Sequence, residues 1–516
     1  MFRTLLVANR GEIACRVIRA CRELGVRAVA VYSDADANAL HVRLADEAVR
    51  LGPAPSAESY LAMDRVLDAA RRSGAQAVHP GYGFLSENAE FASLCEKAGI
   101  VFVGPPSSAM AQMGDKLRAK ALAREAGVPV APGSTEPVED PSEVARIARE
   151  VGLPVLLKAA RGGGGRGQRI VRREDEIEEA IAACRQEAQS AFGSSAVFVE
   201  KFVENPRHIE FQVLADAHGH VLHFGERECS IQRRNQKLVE EAPSPIVTEA
   251  IRREMGEKVV TLARRVGYVN AGTMEFLWKD GRFHFMEMNT RLQVEHPVTE
   301  MVYGVDLVRW QLRIASGEEL TIRQEDIRPR GHAIEFRVNA EDPYRALSPS
   351  PGLVADWRPP EGEGVRTDAG VYPGFVVPSA YDSLLAKLVV WDNDRAAAIE
   401  RATRALGAFH VGSTTTNLPF HRAVVGLEAF RRGDLHTGFV SEQRVLELLA
   451  EEREARRARL ATIAAAVGLV VVRDPLGARG FLAPSAPRAE RTPSSPWRTD
   501  ARRVAHAQRR GVRRSP

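Results

Sequence analysis

The sequence predicts a mixed α/β and α+β protein that begins with a Rossmann-like parallel sheet and continues into regions where helices accompany strands of mixed direction. The N-terminal part alternates short apolar runs with stretches of helical period, which is typical of strand–helix–strand units. In the second half, two alternating runs flank a short glycine-containing break, which predicts an antiparallel hairpin. The length of 516 residues corresponds to roughly two to four domains.

Composition indicates a globular protein, with 44% apolar and 27% charged residues. The longest apolar run, Ile463–Val472, is well short of the roughly 20 residues of a membrane helix, so no membrane partner is expected. The opening run Leu5–Ala8 leads at once into Asn9-Arg10-Gly11 and does not resemble a secretory signal. The 5 cysteines contain no CxxC pair, which favours free thiols and a cytoplasmic location.

The basic charge is concentrated in the C-terminal tail. Residues 453–516 contain 15 arginines and 4 acidic residues, a net charge of +11 that leaves −7 for the remainder of a chain with a formal charge of +4. We expect much of the tail to be disordered, because it is rich in Arg, Pro and Ala. Nucleic-acid binding is suggested only by this tail, which lacks interleaved aromatic residues, so no nucleic-acid partner is predicted.

Residues 1–113 predict a parallel sheet with helices on both faces. The predicted strands are Thr4–Ala8, Ala28–Tyr32, Ala77–His79 and Val101–Gly104, and the predicted helices are Glu12–Leu24, Ser59–Arg72 and Glu87–Ala98. Ligands of such sheets gather at the carboxyl ends of the strands, where Asn9-Arg10-Gly11 and His79–Gly83 lie. These glycines could equally be plain turn residues.

The next region contains a glycine-rich segment, Arg161–Gly167, between predicted strands. A helix over Lys116–Ala126 precedes it, with strands over Pro154–Ala159, Val197–Phe202 and His208–Leu214 around it. The segment matches GxGxxG only by chance, because no downstream ribose-binding acid follows, and it lacks the GK[ST] of a Walker loop. Its bare amides, with Lys158 and Arg166 nearby, predict a mobile lid over phosphates, and a flexible surface loop is the alternative.

The predicted hairpin consists of Met274–Trp278 and Arg282–Met288. A three-residue loop with a left-handed Gly281 places Glu275 and Glu287 on one face, where they can share a divalent cation. A two-residue loop would shift the register by one residue and separate them. The metal-site hypothesis therefore requires the three-residue loop.

A polar row continues beyond the hairpin, with one member at every second residue. Its members are Glu287, Asn289, Arg291, Gln293 and Glu295. An extended chain would place all five side chains on one face. A solvated strand face is the usual explanation of such alternation, but this mixture of amide, guanidinium and carboxylate groups favours binding of Mg²⁺ and an anion.

Two further segments have ordinary explanations when each is taken alone. Residues 226–237 form a dense polar run, which is usually a solvated face. The third region, from Gly331 to about Leu449, contains predicted strands at Ala333–Asn339 and Leu384–Trp391 and a helix near Ala396–Leu406. Arg337 interrupts the first of these strands, and a lone Arg in such a strand is more often a surface residue.

Taken together, the motifs occur in one family order over Met1 to about Leu449. They are ANRGEIACRVIRAC, HPGYGFLSEN, MGDK, KAARGGGGRG, ENPRHIE, ERECSIQRRNQK, EFLW, MEMNTRLQVEHPVTEM and RVNAEDP. This ordered set resembles the biotin carboxylases of the ATP-grasp superfamily. The resemblance implies an N-terminal biotin carboxylase domain (1–113), an ATP-grasp domain with a mobile lid (114–330), a C-terminal mixed α/β domain (331–449) and a basic tail (450–516).

The resemblance also implies an activity, that of a ligase that forms a C–N bond. Such enzymes convert MgATP and bicarbonate to ADP and carboxyphosphate, then carboxylate biotin held on a biotin carboxyl carrier protein. This is the first half-reaction of acetyl-CoA carboxylase, in fatty acid biosynthesis, or of another acyl-CoA carboxylase. Expected partners are the carrier protein and carboxyltransferase subunits, and a homodimer is expected. Because no AMKM-like motif occurs in the sequence, we expect the carrier to be supplied in trans. The SSPWR near Trp497 resembles linker sequence of longer relatives, so a truncated longer chain is the alternative.

Another ATP-grasp ligase, joining a carboxylate to an amine, is the alternative function. It would share the lysines and the metal-binding acids. It has no reason to carry RLQVEH together with Arg337.

The resemblance assigns a role to each candidate residue. Those assigned to the nucleotide are Lys116, Lys158, Gly163, Gly164, Gly165, Glu200, Lys201, Phe202, Val203, His208, Gln232, Asn235, Glu275 and Glu287. Those assigned to Mg²⁺ or Mn²⁺ are Glu275, Glu287 and Asn289. Those assigned to bicarbonate and biotin are Lys237, Arg291, Gln293, the backbone of Val294, Tyr82 and Arg337. The catalytic set is Lys237, Arg291, Glu295 as general base and Arg337 as stabiliser of the biotin enolate. Asn235 departs from the family pattern, in which His is expected.

Overall fold

The structure is a computed structural model that describes residues 1–160 and 167–473. The chain divides into two compact units after Ala450. The elements of the candidate site all lie in the first, Met1–Ala450. In the second, the described residues 451–473 are helical. None of the helices in the described ranges is both long enough and apolar enough to cross a bilayer.

The N-terminal region is the predicted parallel sheet, with strand order β3-β2-β1-β4-β5. Its strands are β1 (Thr4–Val7), β2 (Arg27–Ser33), β3 (Glu47–Gly52), β4 (Ala77–His79) and β5 (Val101–Phe102). Its helices are α1 (Gly11–Glu23), α2 (Leu40–Leu44), α3 (Met63–Arg72), α4 (Ala89–Lys97) and α5 (Ser107–Gly114). The four predicted strands and three predicted helices are confirmed within a few residues. Strand β3 and helices α2 and α5 were not predicted.

The middle region contains a small three-stranded antiparallel sheet, β7-β6-β8, and the first half of a larger one. Its strands are β6 (Val155–Ala159), β7 (Gln168–Val171), β8 (Val197–Lys201), β9 (Arg207–Ala215), β10 (Val221–Arg233), β11 (Gln236–Ala242), β12 (Asn270–Lys279) and β13 (Arg282–Asn289). Its helices are α6 (Lys116–Glu125), α7 (Pro141–Val151), α8 (Ile177–Phe192), α9 (Glu249–Arg265), α10 (His296–Tyr303) and α11 (Leu307–Ala315). The predicted lid residues Gly163, Gly164 and Gly165 lie outside the described residues.

The last region adds short strand pairs and a helical layer. Its strands are β14 (His332–Asn339), β15 (Glu341–Asp342), β16 (Ser348–Pro349), β17 (Gly352–Val354), β18 (Asp356–Arg358), β19 (Val365–Ala369), β20 (Phe375–Val377), β21 (Leu384–Asp392) and β22 (His410–Gly412). Its helices are α12 (Arg395–Ala408), α13 (Leu418–Gly426), α14 (Glu428–Arg432), α15 (Phe439–Glu442) and α16 (Val445–Arg473).

One antiparallel sheet of eight strands joins the middle and last regions. Its order is β13-β12-β9-β10-β11-β14-β21-β19. The β11–β14 ladder, from Val239–Phe336 to Ala242–Ala333, crosses the boundary placed at residue 330 by sequence. Helix α10 packs against β10, β11, β14 and β21, so polar groups on that side of the sheet are shielded from water.

The hairpin β12–β13 differs from the predicted one in its loop. Only Asp280 and Gly281 connect the strands, and both have positive φ (49° and 79°), as a type I′ turn requires. The predicted three-residue loop is therefore wrong. A β-bulge next to the Phe276–Phe285 pair absorbs one extra residue of β13, so Glu275 lies directly opposite Glu287. The prediction that the two carboxylates share a face is confirmed.

The polar row does not form one extended face. Strand β13 ends at Asn289, and the chain then turns until α10 begins at His296. Glu295 is the N-cap of α10, with φ −81° and ψ 12°. The predicted extended geometry is wrong beyond Asn289, and side-chain hydrogen bonds, rather than a strand, hold the later members of the row together.

Candidate active site

Lys237 is the centre of the candidate site. Its Nζ donates to Glu210 Oε2 at 2.6 Å, Glu275 Oε1 at 2.9 Å and Glu295 Oε1 at 2.6 Å. These four side chains come from β11, β9, β12 and the start of α10, and all are largely buried. Burial alone would lower the pKa of Lys237, but the three carboxylates outweigh it and raise that pKa well above its usual value. Lys237 is therefore a permanent cation.

Glu295 is held between two cations. Its second oxygen, Oε2, accepts a hydrogen bond from Arg337 at 2.9 Å. Burial alone would raise the pKa of Glu295, but Lys237, Arg337 and Arg227 outweigh it and hold that pKa well below its usual value. The carboxylate is therefore ionised at neutral pH, as a general base must be.

Arg337 is largely buried, with a side chain only 13% exposed. Its Nε donates to Glu240 Oε1 at 2.6 Å, while its other end contacts Glu295. The expectation that a lone Arg in this strand is a surface residue is wrong, because β14 lies inside the eight-stranded sheet beside β11. The guanidinium bridges two acids that are distant in sequence.

The polar run 226–237 is mostly buried. Arg227 is fully enclosed and donates to Glu210 Oε1 (2.5 Å), Gln212 Oε1 (2.6 Å), Thr273 Oγ1 (3.0 Å) and Thr299 Oγ1 (3.0 Å). Only the turn at Arg234 and Asn235 and its flank are exposed. The expectation of a solvated face is wrong because β10 is an interior strand of the sheet. Arg227, which sequence analysis did not single out, fixes the oxygen of Glu210 that does not face Lys237.

The turn explains why Asn is acceptable at position 235. Arg234 and Asn235 both have positive φ (50° and 63°), and Asn tolerates this left-handed backbone better than most residues. Gln232, by contrast, is buried in β10 and lies opposite Lys237 in the β10–β11 ladder. Asn235 is thus exposed in the turn, whereas Gln232, three residues earlier on β10, is buried.

Of the three predicted metal ligands, Glu275 contacts Lys237 directly, and Glu287 and Asn289 have other partners. Glu275 accepts hydrogen bonds from Lys237 and from Gln293 Nε2 (2.9 Å), and Glu287 contacts Lys116. Asn289 Oδ1 accepts from Arg291 at 3.1 Å. These residues fit Mg²⁺ by donor chemistry, since opposed carboxylates and an amide oxygen are hard ligands. His208 lies 3.3 Å from Glu275, and His208, Glu210 and Glu275 each offer a donor atom within 4.8 Å of the others.

Two lysines, Lys158 and Lys120, meet at the nucleotide candidate Glu200. Lys158 Nζ donates to Glu200 Oε1 at 2.8 Å, and Lys120 contacts the other oxygen of Glu200. Burial would raise the pKa of Glu200, but the two lysines outweigh it and lower that pKa to about 2. Sequence analysis missed Lys120, although its position four residues after Lys116 on α6 places both on one helix face.

Side-chain and backbone donors of the segment 200–203 bind it to carbonyls earlier in the chain. Lys201 Nζ donates to the carbonyls of Gly152 and Leu153, both at 2.9 Å. The backbone N–H groups of Lys201 and Phe202 donate to Pro132 and Pro154. An adenine contact through backbone would therefore use the carbonyls of this segment or the N–H of Val203.

The anion-binding candidates form a chain of hydrogen bonds. Arg291 donates to Gln293 Oε1 at 2.7 Å and to Glu87 Oε2 at 2.9 Å. The carbonyl of Val294 accepts from Lys387 Nζ at 2.8 Å. Among the described residues, Tyr82 is joined to this group through its hydroxyl contact with Glu12, which lies 3.4 Å from Lys387.

A buried pair of acids, Glu240 and Glu335, lies beside Arg337 and was missed by sequence analysis. The two are directly opposite in the β11–β14 ladder. Neither carboxylate oxygen of Glu335, and only one of Glu240, finds a hydrogen-bond partner among the described residues. Burial raises the pKa of Glu240 to about 7 and that of Glu335 well above its usual value. The alternation of Glu335 and Arg337 along β14 was the available signal.

We expect Glu335→Gln to stabilise the protein, and increasingly so as the pH rises. The raised pKa means that the folded state keeps a proton that the unfolded state releases above about pH 4.5. The wild type therefore loses stability as pH rises from that point, by up to ~1.4 kcal/mol per pH unit. Thermal unfolding from pH 5.5 to 8 should show a widening gain for the variant. Glu361→Gln, at an exposed site, is the control, and a less stable Glu335→Gln at pH 8 would contradict the expectation.

Three family models match successive parts of the chain. Residues 1–110 match the biotin carboxylase N-terminal domain, 115–323 the carbamoyl-phosphate synthase L chain ATP binding domain, and 335–442 the biotin carboxylase C-terminal domain. A pyruvate carboxylase subunit from Methanothermobacter thermautotrophicus is 56% identical over 445 residues, covering 86% of this chain and 90% of the relative. Biotin carboxylase 1 of Bacillus subtilis is 49% identical over 448 residues, covering 86% of this chain and 100% of the relative.

Solved structures of biotin carboxylases are also similar to this chain. The biotin carboxylase domain dimer of 2-oxoglutarate carboxylase from Hydrogenobacter thermophilus, solved with MgADP, ADP and bicarbonate, has a TM-score of 0.83 and 49% identity, covering 86% of this chain and 98% of that one. Biotin carboxylase of Campylobacter jejuni, in a β,γ-ATP complex, has a TM-score of 0.83 and 44% identity, covering 86% of this chain and 99% of that one. The chain belongs to the biotin carboxylase family.

Proposed function

We propose that the protein is a biotin carboxylase, which uses MgATP and bicarbonate to carboxylate biotin on a carrier protein. The observation that carries the proposal is Glu295, a buried and ionised carboxylate held between the ammonium of Lys237 and the guanidinium of Arg337. This arrangement suits a base that must act beside an anionic substrate. The bicarbonate and MgADP named in the Hydrogenobacter thermophilus structure support the same substrates here.

Bicarbonate is a poor electrophile, which is why ATP must activate it. In the proposed site Lys237, Arg291 and Gln293 hold the anion, and Glu295 accepts its proton as an oxygen attacks the γ-phosphorus of ATP. The products are ADP and carboxyphosphate. In the resting site Glu295 is a weak base, because its pKa is depressed. A bound anion would offset the charge of Lys237 and so restore the proton affinity of Glu295.

The nucleotide residues act by position and charge. Lys116 and Lys158 bind phosphates, and the segment from Glu200 to Val203 lines the adenine, with His208 and Gln232 nearby. Glu275, Glu287 and Asn289 would hold Mg²⁺ or Mn²⁺, which neutralises phosphate charge when bound. Asn235 would contact the nucleotide less closely than a His.

The second half of the reaction is assigned to Arg337, with Tyr82 beside it. Removing a proton from the ureido nitrogen of biotin places negative charge on the ureido oxygen. The planar fork of a guanidinium suits that oxyanion. Arg337 already has two acids as partners, so its orientation is set before biotin arrives.

The proposal extends to partners and assembly. We infer a biotin carboxyl carrier protein and a carboxyltransferase that selects the final acceptor as partners, and a homodimer like that of the Hydrogenobacter thermophilus domain. We also propose the division into domains 1–113, 114–330 and 331–449, with the tail from 450 separate, and a cytoplasmic location.

The test is ATP cleavage measured with and without bicarbonate and free biotin. We expect slow cleavage with bicarbonate alone, faster cleavage when biotin is added, and acid-labile incorporation of labelled bicarbonate into biotin. Cleavage that is independent of bicarbonate but requires an amine would instead identify a carboxylate–amine ligase of the ATP-grasp type.

We expect Glu287→Gln to raise the Mg²⁺ concentration for half-maximal activity roughly tenfold or more. Loss of one ligand charge weakens a site built from only two carboxylates, and even outer-shell changes at metal sites cost 10–100-fold. Excess Mg²⁺ should restore part of the rate, while the bicarbonate KM stays close to that of the wild type. An unchanged Mg²⁺ requirement would remove Glu287 from the metal site.

A further inference from the structure

At Arg337, strand β14 is no longer paired with β11. On one side β14 pairs with β21, and Arg337 lies opposite Lys387. On the other side the ladder with β11 ends at the Val239–Phe336 pair, one residue before Arg337. A β-bulge follows between Val338 and Asn339. The backbone that carries the guanidinium therefore lacks a regular ladder on one edge.

Asn417, which precedes α13, replaces the missing strand. Its Nδ2 donates to the carbonyl of Arg337 at 2.8 Å, and its Oδ1 accepts from the N–H of Asn339 at 2.9 Å. Its own N–H donates to the carbonyl of Asn339 at 3.1 Å. The side-chain amide of Asn417 thus makes the two hydrogen bonds that one residue of a neighbouring parallel strand would make. One goes to the carbonyl of Arg337 and the other comes from the N–H of Asn339, two positions later. Asn417 is fully buried.

His421, one turn further on in α13, adds a second hydrogen bond to the same carbonyl. Its Nε2 lies 2.8 Å from the Arg337 oxygen, and the ring packs edge-on against Phe336 and Phe420. A carbonyl can only accept, so Nε2 carries the proton. Burial lowers the pKa of His421 to about 4, so the ring is neutral and His421 is a fixed donor across the neutral range.

We infer that Asn417 and His421 are positioning residues for Arg337 in the biotin-carboxylating half of the reaction. The inference rests on the proposed function. Both side chains act on the Arg337 backbone and touch neither Lys237 nor Glu295 in the described hydrogen bonds. Bicarbonate activation should therefore be insensitive to them, whereas the direction of the guanidinium should depend on them.

The experiment compares two activities in purified full-length variants. In His421→Leu and Asn417→Ala we expect the kcat of free-biotin carboxylation to fall roughly 10–100-fold, because small misplacements of a catalytic group are costly. Bicarbonate-dependent ATP cleavage without biotin should stay within about threefold of the wild type. His421→Gln, which keeps a donor, should recover most of the lost kcat. Val425→Ala, in the same core and helix, is the matched control and should leave the ratio of the two activities unchanged.

The outcomes separate the inference from the proposed function. Equal loss of both activities in folded His421→Leu, or the same activity ratio in His421→Leu as in Val425→Ala, would overturn the positioning role. A wild-type protein without any biotin carboxylation would instead count against the proposed function. A kcat that is lost in His421→Leu and largely recovered in His421→Gln supports the role of His421 as a hydrogen-bond donor.

Discussion

Glu295→Gln is expected to lose both bicarbonate-dependent ATP cleavage and biotin carboxylation, each by roughly 10²–10⁴-fold, the usual contribution of a general base. The amide keeps the shape of the side chain but cannot accept the bicarbonate proton. Steady-state rates of ADP formation and of label transfer to free biotin measure the two effects. A variant that retains bicarbonate-dependent ADP formation would show that another group removes the proton.

Arg337→Ala is the informative companion to this variant. It should lose roughly 10²–10³-fold in biotin carboxylation, as for the loss of one oxyanion donor, yet keep most of its slow ATP cleavage. Glu295 would still face Lys237 and Arg227 and so remain ionised. Glu240, left without Arg337, already has a pKa of about 7 and can take up a proton. Equal damage to both activities with an intact fold would mean that Arg337 also serves bicarbonate.

Lys237→Met is expected to lower stability by about 3–5 kcal/mol, the range for breaking a buried ion pair by removing one partner. Three buried carboxylates, those of Glu210, Glu275 and Glu295, lose their shared ammonium. The depressed pKa values of Glu275 and Glu295 contribute stability above their unfolded pKa of about 4.5 that is lost as pH falls. The loss of stability in Lys237→Met relative to the wild type should therefore be largest at neutral pH and smaller in acid.

Thermal unfolding midpoints at pH 7 and pH 5 test this expectation. Lys258→Met is the control, because its Nζ pairs with Glu254 on an exposed helix face at 2.7 Å. Such a surface pair contributes roughly 0.3–0.5 kcal/mol. If Lys237→Met unfolds at the wild-type temperature at pH 7, the three buried carboxylates do not depend on the Lys237 ammonium for their stability.

The hairpin shows what a local pattern can and cannot predict. Alternation correctly placed Glu275 and Glu287 on one face, but the three-residue loop on which that prediction depended does not form. A bulge does it instead, because Phe276 and Phe285 must both pack in the core while the two acids stay together on the other face. Whether a bulge forms depends on packing against β9 and the helices, which alternation does not encode.

The buried charges were the main failure of sequence reasoning about the site. A run such as 226–237 is usually solvated, and here its charges are balanced by partners far along the chain, for example Arg227 with Glu210 and Arg252 with Glu226. Such pairs appear only once the order of strands in the sheet is known. The parallel N-terminal sheet was predictable because each of its units is local, with a strand, a helix and a glycine at the helix end.

In the proposed mechanism, bicarbonate that is deprotonated by Glu295 attacks the γ-phosphate of ATP. Oxygen transfer from ¹⁸O-labelled bicarbonate to inorganic phosphate tests it most directly, read by mass spectrometry in the absence of biotin. We expect one ¹⁸O atom in each phosphate released with ADP, and loss of this product in Glu295→Gln. Unlabelled phosphate from the wild type would mean that water attacks ATP and would contradict the account.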